Sequence, residues 1–343
     1  MRRRTAVLTA SALAGAAVVA RRRAAAAAAV PAPERPAPLE GRTRTVRTDD
    51  GVELHVAEHG PADTPVVMVL AHGYTQASRL WDGTVRALLA LRDDLRVVVY
   101  DHRGHGRSGR ATQETATLEQ LGRDLARVVD EVAGDRPVVL GGHSMGGMTL
   151  MALAEQRPEL FGDRVVGAAF VGTSSGGLAD VTWSLPAPVA RAVKKLLPLA
   201  NERAYRAELA GKGRTQVAAL DRFVLFAAGA SPADVQDVLA VQAECSAETI
   251  HLFLDTFTTH DRVRALEALR EVPALVVAGD QDRLCPVEHS RTIADALPLG
   301  ELVVYPGVGH MVHVERRLEV ARHLSALVDR ALAGRRPALR SVG

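Results

Sequence analysis

Only two cysteines, Cys245 and Cys285, occur in 343 residues. They are too few and too far apart in sequence for a disulfide scaffold or a cysteine metal site, so the redox compartment stays open. Of the 42 basic residues only Lys194, Lys195 and Lys212 are lysines, and arginine supplies the rest. These arginines are spread among 40 acidic residues, giving a net charge of +2. No basic stripe forms outside the N-terminus, which argues against nucleic acid as a partner. The chain has no His-Glu-x-x-His, no paired Cys-x-x-Cys and no P-loop, so nothing calls for a metal or another cofactor. It also has no repeat of fixed period, which removes solenoids and propellers. What remains is a globular chain, 47% hydrophobic, long enough for one large domain with an insertion.

The first thirty residues differ in kind from the rest. Arg2, Arg3 and Arg4 precede an uncharged stretch from Thr5 to Ala20, which Arg21, Arg22 and Arg23 close. As a helix those residues would span about 24 Å, short of the roughly 30 Å hydrocarbon core, which fits a signal peptide better than a spanning helix. The second arginine cluster favours an uncleaved anchor instead, because charge just after an apolar run hinders translocation. Residues 1–30 are therefore expected to export or anchor the protein, with membrane contact through the N-terminus, and a cytoplasmic tail is the alternative. Residues 31–41, rich in Pro, form a linker.

From residue 42 onward, strand and helix patterns alternate, which predicts a mostly parallel sheet covered on both faces. Arg42 to Thr48 and Val52 to Glu58 flank Asp49-Asp50-Gly51 and should form an antiparallel edge hairpin. Six short apolar runs follow: Pro65 to Ala71, Leu95 to Tyr100, Pro137 to Gly141, Val165 to Val171, Pro273 to Ala278 and Glu301 to Tyr305. Helical spacing fills most gaps, at Leu80 to Leu91, Leu118 to Val132, Met145 to Gln156, Val287 to Leu297 and Val314 to Leu332. The gap from Val171 to Pro273 is far too long for a loop, and its helical patterns (187–199, 201–210, 215–229, 232–243 and 247–258) mark an inserted cap over residues 176–262. The catalytic domain is then 42–175 together with 263–343.

Chemistry is most legible at Gly142-His143-Ser144-Met145-Gly146, where a short apolar strand runs into a helix. A serine on such a sharp turn is held above the sheet, and Gly142 and Gly146 leave room where the limbs approach. A serine hydroxyl is a poor nucleophile until a base takes its proton, so a histidine and an acid orienting it are required downstream. Reactive groups in a parallel sheet gather beyond the carboxyl ends of the strands. Gly279-Asp280-Gln281-Asp282 follows one strand and Pro306-Gly307-Val308-Gly309-His310 the last, and both are suitably placed. His310 suits the base better than His313, since Gly307 and Gly309 let its loop bend back while His313 lies near a helix start. Asp280 suits a turn as a local acceptor. An oxyanion needs two donors, for which the Met145 N–H at the helix start and the Tyr74 N–H in His72-Gly73-Tyr74-Thr75 are the candidates. His143 reads as a packed structural histidine.

Taken together, these stretches resemble the α/β-hydrolase superfamily over residues 42 to 334. His72-Gly73-Tyr74 looks like its oxyanion loop, and Asp101-His102-Arg103-Gly104-His105-Gly106-Arg107-Ser108-Gly109 like its turn after the next strand. Gly142 to Gly146 resembles its nucleophile elbow, and the acid and histidine loops follow in the expected order. The resemblance implies an eight-stranded, mostly parallel sheet flanked by helices with an inserted helical cap. It also favours Asp282 over Asp280 as the acid. With Ser rather than Asp as nucleophile, and Thr75 after Tyr74, it points away from haloalkane dehalogenases and epoxide hydrolases. The implied activity is a serine esterase or lipase-like hydrolase acting through an acyl-enzyme on a small-molecule ester with an apolar acyl or alcohol part. Carbon–carbon bond hydrolases and metal-free haloperoxidases or perhydrolases share the fold, and a triad-bearing ligand receptor with little turnover is the alternative of another class. Apolar cap residues including Val193, Leu196, Leu197, Phe223, Phe226 and Phe253 suggest a lining, and Met148, Trp183 and Phe257 are the candidate substrate contacts alongside Tyr74.

Overall fold

The computed structural model describes residues 39–211 and 218–334. Residues 1–30, expected to export or anchor the protein, and most of the expected linker lie outside the described residues. Leu39 already packs against the sheet, and the Glu40 carbonyl lies 2.9 Å from His59 Nδ1, so these two residues of the expected linker contact the domain.

Eight strands, β1 (Arg42–Arg47), β2 (Glu53–His59), β3 (Val66–Ala71), β4 (Leu95–Tyr100), β5 (Val138–His143), β6 (Val165–Val171), β7 (Ala274–Gly279) and β8 (Gly300–Tyr305), form one sheet. Their order is β1-β2-β4-β3-β5-β6-β7-β8. The hairpin pair β1 and β2 is antiparallel and lies at the edge, β2 pairs antiparallel with β4, and every other pairing is parallel. The five inner strands β3 to β7 are buried along their whole length. Their alternate side chains enter opposite cores: Val67 and Val69 pack on one face of β3, Met68 and Leu70 on the other. Strands buried on both faces are apolar at nearly every position, with Arg96 of β4 paired to Glu58 and His143 of β5 hydrogen-bonded on both ring nitrogens, which is why these runs are continuous rather than alternating.

Helices Leu118–Ala133, Met145–Gln156 and Val287–Ala296, with Asp82–Leu89 and Arg317–Ala333, flank the sheet. The long amphipathic helix Leu118–Ala133 is opened by Thr117, whose hydroxyl accepts from the Gln120 N–H.

Between β6 and β7 the chain leaves the sheet and forms helices Ala187–Leu209, Ala218–Leu225, Pro232–Glu244 and Ala247–Phe253. Its two ends meet. Gly176 bridges Asp261, and the Arg262 N–H donates to the Ser175 carbonyl at 2.6 Å. The first of these helices is one element where the sequence suggested two, because it continues through Pro198. The helix expected over 215–229 ends earlier, at Leu225, and its expected start falls among residues 212–217, outside the described residues.

Candidate active site

The carboxyl ends of β3, β4, β5, β7 and β8 deliver the loops of the site, as a parallel sheet requires. Ser144 sits between the end of β5 and the Met145–Gln156 helix with φ 51° and ψ −118°. This is left-handed backbone that a non-glycine residue adopts only under about 1–3 kcal/mol of strain. Three contacts hold it there: the Ser144 N–H donates to Val171 O (3.0 Å), and the Ser144 carbonyl accepts from Thr173 Oγ1 (2.7 Å) and from the Gly147 N–H (2.9 Å). A Cβ on Gly146 would stand 2.3 Å from the Ala71 carbonyl oxygen, and one on Gly142 would stand 2.3 Å from Gly146 itself. Both glycines are needed for the close approach that the turn makes.

His310 and Asp282 are brought together. His310 Nδ1 donates to Asp282 Oδ2 at 2.8 Å, with both side chains almost wholly buried. The second oxygen, Oδ1, accepts from the Leu284 and Cys285 N–H groups, each at 2.8 Å. Those bonds fix the plane of the carboxylate. Asp280 instead accepts from the Gly307 N–H at 2.7 Å and braces the neighbouring loop. His313 is buried between Trp81 and His143, and burial pushes its pKa down to about 3.

The loop after β3 is clamped from two sides. His72 Nδ1 donates to the Gly73 carbonyl at 2.7 Å, while His72 Nε2 accepts from the His102 N–H at 3.0 Å. The Gln76 N–H also donates to Gly73 O (3.2 Å), and the Gly73 N–H donates to Gln76 Oε1 (3.0 Å). In a trans peptide the carbonyl of Gly73 and the N–H of Tyr74 point in opposite directions, so anchoring the one directs the other. Met145 is the first residue of its helix, where an N–H has no intrahelical acceptor.

Several contributors were not visible in sequence. Gln76 is one; with His143, which is packed as the sequence suggested, it connects three of the loops: one ring nitrogen of His143 lies 3.1 Å from Gln76 Oε1 and the other 3.0 Å from the His310 carbonyl. Burial keeps His143 well below the ordinary imidazole range. Arg103 is fully buried with Asp124, at 2.6 Å through Nε, and also pairs with Asp50 at 2.7 Å. Truncating one member of such a pair typically costs about 3–5 kcal/mol, so this network fixes the turn after β4. The turn at Leu225 is the least expected. Its carbonyl accepts from the N–H groups of both His310 (2.8 Å) and Met311 (3.3 Å), and Arg283, next to Asp282, donates to the carbonyls of Phe223 (2.8 Å) and Phe226 (3.0 Å). These are backbone acceptors, and no side-chain pattern announces them.

Of the candidate substrate contacts, Met148, Tyr74 and Phe257 fall in one apolar cluster with Met145, Phe253 and Leu178. The Tyr74 and Phe257 rings meet edge to face at 5.0 Å, and the Tyr74 hydroxyl donates to the Ile250 carbonyl. Trp183 is not in that cluster; its ring lies under the Lys194 ammonium, 5.6 Å from the centroid. Leu196 and Phe223 are exposed rather than lining an interior. A cavity of about 460 Å³ opens between the loop Gly104 to Arg110 and the ends of the inserted helices at Tyr205, Glu208 and Cys245, and its lining does not include Ser144.

The model of the serine aminopeptidase S33 family matches residues 63–317. The chain belongs to that family. It is a hydrolase of the α/β-hydrolase superfamily, of the esterase- and lipase-like kind. It is 31% identical over 254 residues to a monoacylglycerol lipase of Mycolicibacterium smegmatis, covering 73% of this chain and 82% of the relative. It is also 26% identical over 289 residues to a bifunctional esterase/perhydrolase of Acinetobacter calcoaceticus, covering 82% and 98%. Among solved structures, a thermophilic esterase from Thermogutta terrifontis superposes with a TM-score of 0.68 at 23% identity, covering 84% of this chain and 99% of that one, which shows the shared fold.

Proposed function

We propose that the chain hydrolyses carboxylic esters through an acyl-enzyme on Ser144. The observation that carries this reading is the His310–Asp282 hydrogen bond at 2.8 Å, together with a serine held in a left-handed turn at the end of β5. His310 takes the Ser144 proton on Nε2 as Oγ attacks the ester carbonyl, and then delivers it to the departing alkoxide. Asp282 keeps the imidazole in the tautomer with its proton on Nδ1 and stabilises the cation as it forms. The N–H groups of Tyr74 and Met145 receive the oxyanion, a charge that exists only in the tetrahedral species, so their effect falls on the rate rather than on substrate binding. Water then attacks the acyl-enzyme by the same path in reverse. Residues 176–262 act as a cap, and the cluster of Tyr74, Met148 and Phe257 receives the apolar part of the substrate. We place the protein outside the cytoplasm or at a membrane through residues 1–30; detection of full-length soluble protein in the cytoplasmic fraction would overturn that placement.

The experiment is fluorophosphonate labelling with steady-state hydrolysis of p-nitrophenyl esters. Wild type labels and turns over, whereas Ser144→Ala does neither and loses turnover by about four orders of magnitude or more. Undiminished hydrolysis in Ser144→Ala ends the proposal. A burst followed by stalled kinetics would identify a ligand receptor, and turnover of β-diketones or of peroxide with carboxylic acid in place of esters would identify the carbon–carbon hydrolase or perhydrolase alternative.

A further inference from the structure

The helix Ala187–Leu209 buries one residue, Ala190. Its inner side rests on the Ala247–Phe253 helix: the Tyr205 and His251 rings stack at 5.4 Å, and Glu208 accepts the Ala247 N–H at 2.8 Å. Its outer side carries Val189, Ala192, Leu196, Leu199, Arg203 and Arg206, spaced alternately three and four residues apart, so they form one stripe along the helix. All six are exposed, and Val189, Leu196 and Leu199 are 47%, 60% and 52% accessible. Lys195 lies at the edge of the stripe, also exposed. Within this helix five basic residues stand against two acidic ones, although the whole chain is only +2. An exposed aliphatic stripe continued and flanked by cations is the signature of a helix that lies in a lipid interface.

We propose that this face docks on an anionic lipid surface, with Val189, Ala192, Leu196 and Leu199 entering the acyl boundary and Lys195, Arg203 and Arg206 meeting headgroup phosphates. Charge selects this occupant over a second copy of the chain. Pairing the stripe with itself in parallel would set Lys195, Arg203 and Arg206 near their own counterparts, and antiparallel pairing would leave Arg203 and Arg206 without anionic partners on the stripe, whereas anionic headgroups complement them. The apolar spacing also ends after Leu199, well short of the three or more heptads that a coiled coil needs. Long arginine side chains suit the arrangement, because their stems lie along apolar surface while the guanidinium stays at the wet boundary. Docking does not depend on the ester chemistry proposed above and is read without turnover.

The test uses the full chain carrying Leu199→Cys labelled with an environment-sensitive fluorophore, since both native cysteines are buried. The probe reports whether this helix enters lipid even where the N-terminal segment also holds the protein to vesicles. With vesicles containing phosphatidylglycerol the emission should brighten and shift to the blue, and with phosphatidylcholine alone the response should be several-fold weaker. In unlabelled protein, Leu196→Gln with Leu199→Gln should weaken partition onto anionic vesicles about tenfold or more. Lys195→Gln and Arg203→Gln should each weaken it about fivefold. A probe that stays unshifted while the protein floats with anionic vesicles would overturn the proposal, as would equal response to both lipids. A shift that grows with protein concentration in the absence of vesicles would overturn it in favour of self-association.

Discussion

The loops at the carboxyl edge of the sheet and the helices inserted between β6 and β7 hold their groups in place by opposite means. In the loops, nearly every polar group at the site is fixed from more than one side: Asp282 by two backbone donors besides His310, Gly73 by His72 and Gln76. The inserted helices touch those loops through a few ties, among them Gln242 to Thr75 and Thr249 to the Gly104 carbonyl. One tie differs from the others, because the turn Phe223 to Ala227 reaches the backbone of His310 and the side chain of Arg283. The contrast teaches that position is over-determined in the loops at the carboxyl edge, and that among the described residues the turn Phe223 to Ala227 is where the insertion meets the backbone of His310.

The largest effect that could break this contrast belongs to Gly309→Ala. A Cβ there would stand 2.6 Å from the Ala227 nitrogen and 2.7 Å from the Leu225 carbonyl oxygen, both main-chain atoms that cannot swing aside. Displacement of His310 relative to Ser144 should lower kcat about a hundredfold, as roughly 1 Å of misplacement typically does, while the sheet melts cooperatively as before. Steady-state kinetics alongside thermal unfolding separate the two, and full activity would mean that the turn can move without consequence.

Arg283→Ala removes the other half of the tie, and kcat should fall about tenfold with KM little changed, with partial recovery in Arg283→Lys. A loss confined to KM would place Arg283 in binding instead. A smaller effect should separate two aromatic residues of the insertion. Phe257→Ala should alter acyl-chain preference by up to about tenfold, and Trp183→Ala by about twofold or less, because Phe257 packs with Tyr74 and Trp183 does not. A profile of kcat/KM against acyl length measures both.

The smallest effect is on stability. Burial raises the Glu315 carboxyl from 4.5 to about 7, and its Oε1 accepts the Gly309 N–H. The folded state therefore holds a proton that the unfolded state releases at lower pH. The resulting stabilisation is fully present below about pH 4.5 and is lost as pH rises through about 7. Glu315→Gln cannot ionise, so the fall in melting temperature between those two pH values should flatten in that variant.

How much could be read beforehand follows from the kind of group involved. The inner strands were legible because two-sided burial favours unbroken apolar runs, and Ser144 and Asp282 stand out because they follow two of them; His310 follows the partly exposed edge strand β8, where the glycines Gly307 and Gly309 were the signal. The single helix Ala187–Leu209 was read as two, since Pro198 and the polar stretch from Asn201 to Arg203 look like an interruption. An exposed helix tolerates both. Leu196 and Phe223 suggested an interior lining because hydrophobicity alone does not tell an outward face from an inward one. Gln76 and Arg283 act on partners far away in sequence, and Leu225 acts through its carbonyl, which every residue possesses.

The meeting of Ser175 with Arg262 and of Gly176 with Asp261 gives the insertion a narrow neck. An element that leaves and re-enters at adjoining backbone positions can be exchanged by recombination at one point, without altering the pairing of β6 with β7. The fold is thus open to replacement of whole segments there rather than of single side chains. Any newcomer inherits one obligation: somewhere along its length it must lay a carbonyl where that of Leu225 now stands, or the His310 backbone loses that acceptor.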